Sequence, residues 1–154
     1  MNRKVYKIFK VQLIIFSYLF ISFIFAEELV IISNGKRIIN DTISISENKT
    51  RILVKNEATF TDNKGNYGIS TCLGTLEKNL KNIEFNLKCE NIDQNNLRYW
   101  TKLNRGQGDL ESGIGTVEFI GGEGGYKKLI GKKCKYAVKY FRKDIFFFRQ
   151  VCKM

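Results

Sequence analysis

The chain contains no histidine and no proline in its 154 residues. Without histidine, Ser-His-Asp and Cys-His catalysis and histidine-ligated zinc are excluded. Without proline, every turn must be made by glycine, asparagine or aspartate. After residue 26 there is also no sustained helical stripe. Apolar positions recur mostly every second residue, which is the signature of half-buried strands.

The N-terminus reads as an export signal. Arg3, Lys4, Lys7 and Lys10 form a basic stretch, and a mostly apolar run follows from Val11 to Phe25. Ala26 stands at the expected cut, and Glu27 and Glu28 would begin the mature chain. That layout predicts a signal peptide over residues 1–26 and a single domain over 27–154. Ile24 makes the cleavage pattern less clean than A-x-A, so an uncleaved anchor is the rival reading. The run falls short of the roughly 20 apolar residues that span a bilayer. Losing the four basic residues of this segment takes the formal charge from +11 to +7. Many Ile, Lys and Asn with few Ala look like the coding bias of an AT-rich genome, which favours a bacterial exported protein, periplasmic or secreted. The N-x-T triplets at Asn40 and Asn48 are then chance matches.

The strands expected are Leu29–Ser33, Thr42–Ser46, Thr50–Phe60, Tyr67–Leu76, Ile83–Asn91, Leu97–Leu103, Gly115–Ile120, Tyr126–Phe141 and Ile145–Cys152. Turn clusters separate them at residues 62–66, 93–96 and 106–109. One helical turn has room between Leu76 and Ile83. Short strands at this spacing predict an all-β antiparallel sandwich or barrel.

Four cysteines in an exported domain read as two disulfides, with three connectivities open. Facing selects among them. If Cys72 opposes Cys89, then Gly74 meets Leu87 and Leu76 meets Phe85 on one apolar face. Thr71 with Glu90 and Leu73 with Lys88 fall on the other. If Cys134 opposes Cys152, then Tyr136 meets Gln150, Val138 meets Phe148 and Tyr140 meets Phe146, with a turn at Arg142, Lys143 and Asp144. Both pairings put sulfur on the apolar side. A four-thiolate zinc site is the alternative, but no C-x-x-C knuckle is present.

The stretch GGEGGYKKLIG, residues 121–131, has neither GxxxxGK[ST] nor GxGxxG, so no phosphate cradle is predicted. A strand, a glycine corner and a second strand are expected instead. Phe119-Ile120-Gly121-Gly122-Glu123-Gly124-Gly125-Tyr126 together with Lys127 to Gly131 resembles the hairpin of allene oxide cyclase and dirigent-type barrels. The upstream run from Asp109 to Thr116 is similar to the loop and strand that enter it. Glu123, where Thr or Ser is usual, and Leu129, where a smaller residue is common, depart from that pattern. The resemblance implies a closed antiparallel β-barrel of about eight strands with a lined interior.

No catalytic constellation is legible. Glu57, Glu84, Glu90, Glu118 and Asp109 match no motif and read as surface carboxylates. Tyr99, Trp100, Phe119, Tyr136, Tyr140, Phe146 and Phe148 either line a pocket or fill the barrel interior, as such side chains usually do. Trp100 shares a face with Arg98 and Lys102, so it reads as a partner anchor or as covered by the N-terminal segment. Eight basic residues and no acid lie between Tyr126 and Lys143. Lys133, Lys135, Lys139 and Arg149 should share one outward face, either solvated or drawn to an anionic envelope surface with a strength that salt reduces.

The functional expectation is a non-enzymatic exported barrel that binds a small apolar ligand or an envelope partner. No cofactor, metal or nucleic acid is expected. An isomerase or cyclase steering a hydrophobic substrate, as the resemblance implies, and a protein docking on anionic surfaces are the alternatives.

Overall fold

The computed structural model describes residues 27–79, 83–105, 112–142 and 144–154, except for the side chains of 39 and 40. The expected signal segment, the Asn40 side chain, the 106–109 turn with Asp109, and Lys143 lie outside the described residues.

Eight antiparallel strands close in chain order into a barrel, and the last returns to the first. They are β1 (Glu28–Ser46), β2 (Lys49–Asp62), β3 (Tyr67–Asn79), β4 (Ile83–Asp93), β5 (Arg98–Arg105), β6 (Ser112–Gly122), β7 (Lys133–Phe141) and β8 (Ile145–Lys153). The alternation that predicts strands also sorts the two surfaces of the wall. On β4, Ile83, Phe85, Leu87 and Cys89 are buried while Glu84, Asn86 and Lys88 between them are exposed. Each apolar side chain buried this way stabilises by about 1.5–3 kcal/mol. On this strand, charges outside and apolar groups inside are the reverse of a lipid-facing wall.

Two of the expected turns form, each organised by an aspartate. In the 62–66 turn, Asp62 Oδ1 accepts from the backbone N–H of Lys64 at 2.8 Å and of Asn66 at 2.9 Å, and Gly65 takes φ +86°. In the 93–96 turn, Asp93 Oδ1 accepts from Asn95 and Leu97 in the same way.

Both disulfides join directly opposed residues of neighbouring strands, Cys72 with Cys89 and Cys134 with Cys152. That removes the zinc alternative. The facing argument holds along the ladders: Gly74 pairs with Leu87, Leu76 with Phe85, Tyr136 with Gln150 and Tyr140 with Phe146.

Three expectations are corrected. Leu29–Ser33 and Thr42–Ser46 are one strand, because Asn34 and Gly35 continue the ladder opposite Thr59 and Ala58. Gly35 serves a close approach there, not a turn: a Cβ on it would stand 2.2 Å from the Glu57 carbonyl oxygen. Beyond Lys36, β1 leaves β8 and pairs with β2 alone, a bulge interrupts it between Ile39 and Asp41, and residues 41–48 are exposed. Second, β3 stays extended to Asn79 where a helical turn had room; residues 80–82 lie outside the described residues.

Third, the expected strand Tyr126–Phe141 begins only at Lys133. Before it, Gly124–Leu129 forms a short 3-10 helix entered by Gly124 at φ +50° and left by Gly131 at φ +82°. Backbone of that sign costs glycine little. The helix turns Leu129 into the core at 4% exposure and stacks Tyr126 on Tyr99 with ring centroids 4.5 Å apart. The glycine stretch therefore plugs one end of the barrel.

The interior has two apolar clusters. One, around Phe60, Tyr99, Phe119 and Cys134–Cys152, lies under the plug. The other, around Val54, Leu76, Phe85 and Cys72–Cys89, lies towards the opposite end. Polar side chains separate them. Along β2, Asn56 falls between Phe60 and Val54, and along β5, Thr101 falls between Tyr99 and Leu103.

Candidate functional site

At the level of those polar side chains the barrel holds a partly open cavity of about 60 Å³. Tyr99, Tyr136, Tyr140 and Phe148 line it, as do Asn56, Thr101, Gln150 and Arg105. Strand parity places them: Cys134, Tyr136, Val138 and Tyr140 point inward from β7, and Phe146, Phe148, Gln150 and Cys152 from β8. Asn91 also lines it, with its Nδ2 donating to the Tyr99 carbonyl at 3.2 Å.

Two arginines dominate the electrostatics. Arg37 follows Ile31, Ser33 and Gly35 on the inner face of β1, and Arg105 follows Tyr99, Thr101 and Leu103 on β5. They are only 7% and 3% exposed. Both guanidiniums reach Phe85, at 5.3 Å and 5.1 Å from its ring centroid, and Arg37 also lies 3.7 Å from the centroid of Tyr140. Gly113 of β6 makes room for Arg105: a Cβ there would stand 2.5 Å from Nη1. Cation–π contact gives each about 0.5–2 kcal/mol, which does not replace hydrogen bonds. Nε and Nη2 of Arg37, all three side-chain nitrogens of Arg105, and Oδ1 of Asn56 have no hydrogen-bond partner. Burial lowers the Arg37 pKa most; the nearby Arg105 charge adds to this and Tyr140 opposes it.

The phenols shift the other way. Burial pushes Tyr136 up to about 12, with Tyr140 adding and Arg105 opposing. Burial also raises Tyr99, and it raises Tyr126, whose hydroxyl donates to Asp93 Oδ2 at 3.1 Å. An unfolded tyrosine loses its proton near pH 10. Above that pH the unfolded chain holds fewer protons than the barrel, so stability is full below about 10 and falls as pH rises. For Tyr136 the window runs from about 10 to about 12. An alkaline titration followed by phenolate absorbance and circular dichroism should show these tyrosines ionising late, together with unfolding. A single step near pH 10 with the fold intact would contradict the burial described.

Of the aromatic candidates read from sequence, Tyr99, Tyr136, Tyr140 and Phe148 come together around the cavity, with Phe146 beside them. Phe119 is instead packed in the cluster under the plug. Trp100 points outward and lies against Gly121, its opposite on β6, where a Cβ would come within 2.9 Å of the indole. Glu57 and Glu84 are exposed, and Glu90 and Glu118 sit half-buried on the outer wall. No carboxylate lines the cavity among the described residues. Lys133, Lys135, Lys139 and Arg149 do share one exposed face.

Arg37 and Arg105 escape a sequence reading. Arg37 falls in the gap between two expected strands, and Arg105 lies two residues beyond the expected end of β5. Extending the two-residue alternation through both places would have turned them inward. No family model matches this chain, and no curated protein or solved structure matches it.

Proposed function

We propose that this chain is an exported, non-enzymatic binding barrel whose interior receives a small ligand. The observation that carries the reading is the interior space where aromatic rings and unpaired polar atoms converge. Binding sites combine apolar walls with a few convergent polar groups in this way. At about 60 Å³ the space suits a ligand of a few heavy atoms and is far below the roughly 300 Å³ of a drug-sized pocket. Export is supported by the two disulfides, which persist in oxidising compartments. The likeness of residues 119–131 to allene oxide cyclase and dirigent-type barrels agrees with a ligand-holding interior.

Native mass spectrometry of protein purified from its own host tests this. The expected result is a mass excess that corresponds to one small molecule per chain. A bare mass, together with Leu103 and Val138 methyl resonances that no small neutral or charged probe perturbs, would overturn it.

A further inference from the structure

We propose that the chamber binds a compact oxyanion of the carboxylate or phosphate class through Arg105 on its wall, with Arg37, stacked on the lining ring of Tyr140, adding its charge from behind that wall. The inference rests on the reading of the interior as a ligand chamber and names what the chamber recognises.

Arginine is rarely buried without a partner, because leaving water costs a cation several kcal/mol. Here two buried guanidiniums lie around the same ring of Phe85, and the charge of Arg105 acts unfavourably on Arg37. Five of their nitrogens lack an acceptor. The acids that adjoin Arg37 along the ladder are engaged elsewhere: Asp144 pairs with Lys36 at 3.8 Å and Glu57 with Lys55. Neither arginine takes part in an ion pair among the described residues. In the free protein, contact with Phe85 and Tyr140 offsets only part of the cost of leaving water. An oxyanion would satisfy the donors of Arg105 and offset the charge of both arginines in one step, and a planar guanidinium fork matches carboxylate and phosphate oxygens two at a time.

Size and the remaining unpaired atom narrow the class. A water needs at least about 10–15 Å³ of such space, so about 60 Å³ holds inorganic phosphate or a short carboxylate and excludes a long acyl chain. Asn56 Oδ1, on the residue paired with Arg37 across the β1–β2 ladder, lacks a donor. A hydroxyl on the anion would supply one. Monohydrogen phosphate and short 2-hydroxy acids both carry this combination.

The test is a titration of the unmodified protein with inorganic phosphate, lactate or neutral acetamide, followed by the Nε–H resonances of its arginines. Phosphate or lactate should shift the Arg37 and Arg105 signals saturably, and whichever binds tighter names the class. Arg105→Met should weaken that anion by about 10- to 100-fold and leave the ligand-free Tm unchanged or raised. If acetamide binds as well as the anions, the chamber stands and charge recognition falls. If no probe moves either signal, both readings fall. Anion affinity that survives in an Arg37→Met/Arg105→Met double variant would place the site elsewhere and overturn the inference. If a variant fails to fold, the titration of the unmodified protein still decides.

Discussion

Reduction of both disulfides is expected to unfold the barrel in otherwise native buffer. The two bridges close loops of nearly equal length, with sequence separations of 17 and 18. Loop closure alone then contributes about 3 kcal/mol for each, by constraint of the unfolded chain. The two together approach the whole stability of an ordinary domain, about 5–15 kcal/mol. Because the entropic contributions match, any difference between the bridges reports their surroundings. Cys134 and Cys152 lie within the packed cluster under the plug, whereas Cys72 and Cys89 border the cavity. Replacing Cys134 and Cys152 by alanine should therefore cost more than replacing Cys72 and Cys89. Urea midpoints of the two double variants measure the order. A fully reduced protein that keeps its near-ultraviolet circular dichroism would show that the strands close without the bridges.

Gly74→Ala should lower stability by about 3 kcal/mol or more, at the upper end of overpacking costs. For a domain of this size that is a fall in Tm of about 10 °C. A Cβ on Gly74 would stand 2.0 Å from the Asn86 carbonyl oxygen and 2.8 Å from the Leu87 Cα. Both are backbone atoms of β4, the strand that carries Cys89 and the Phe85 ring, so no rotamer change relieves the clash. Gly35 and Gly68 meet neighbouring backbone in the same way, at 2.2 Å and 2.0 Å. These are the places where a curling wall brings adjacent strands closest, a recurrent use of glycine within strands. Gly125 is the control, since nothing lies within 4 Å of its added Cβ and its backbone is unstrained for alanine. Equal Tm values for Gly74→Ala and Gly125→Ala would remove close approach as the explanation.

Where the sequence was informative, it was so through parity. The two-residue alternation places Cys72 with Cys89 and Cys134 with Cys152, sends Lys135 and Lys139 outward, and turns Trp100 away from the core. Parity is local, however, and it reports neither closure nor exceptions. Pairing of β1 with β8 joins residues more than a hundred positions apart, such as Glu28 and Lys153, and no alternation within either segment points to the other. Gly35 has the composition of a turn and the environment of a strand, which only the backbone of β2 beside it reveals. Tyr126 to Leu129, expected as the start of a strand, winds into a helix instead, because glycines at 124 and 131 release the chain from the sheet. Arg37 and Arg105 were hidden by the sound habit of placing charge at the surface, and that habit fails at both positions.

The closed wall hides its hydrogen-bonding rims from other molecules, but the long first strand does not stay within it. From Ile38 to Ser46 one margin of β1 has no strand beside it among the described residues, so its amide and carbonyl groups face outward along a ribbon that also exposes Ile43 and Ile45. Such a margin is a template on which an extended peptide can add as a further strand. Asp41 with its bulge, and Glu47 at the ribbon's tip, limit indiscriminate growth by charge and irregular spacing. Among the described residues, this is where the cylinder can be lengthened by another chain without being opened.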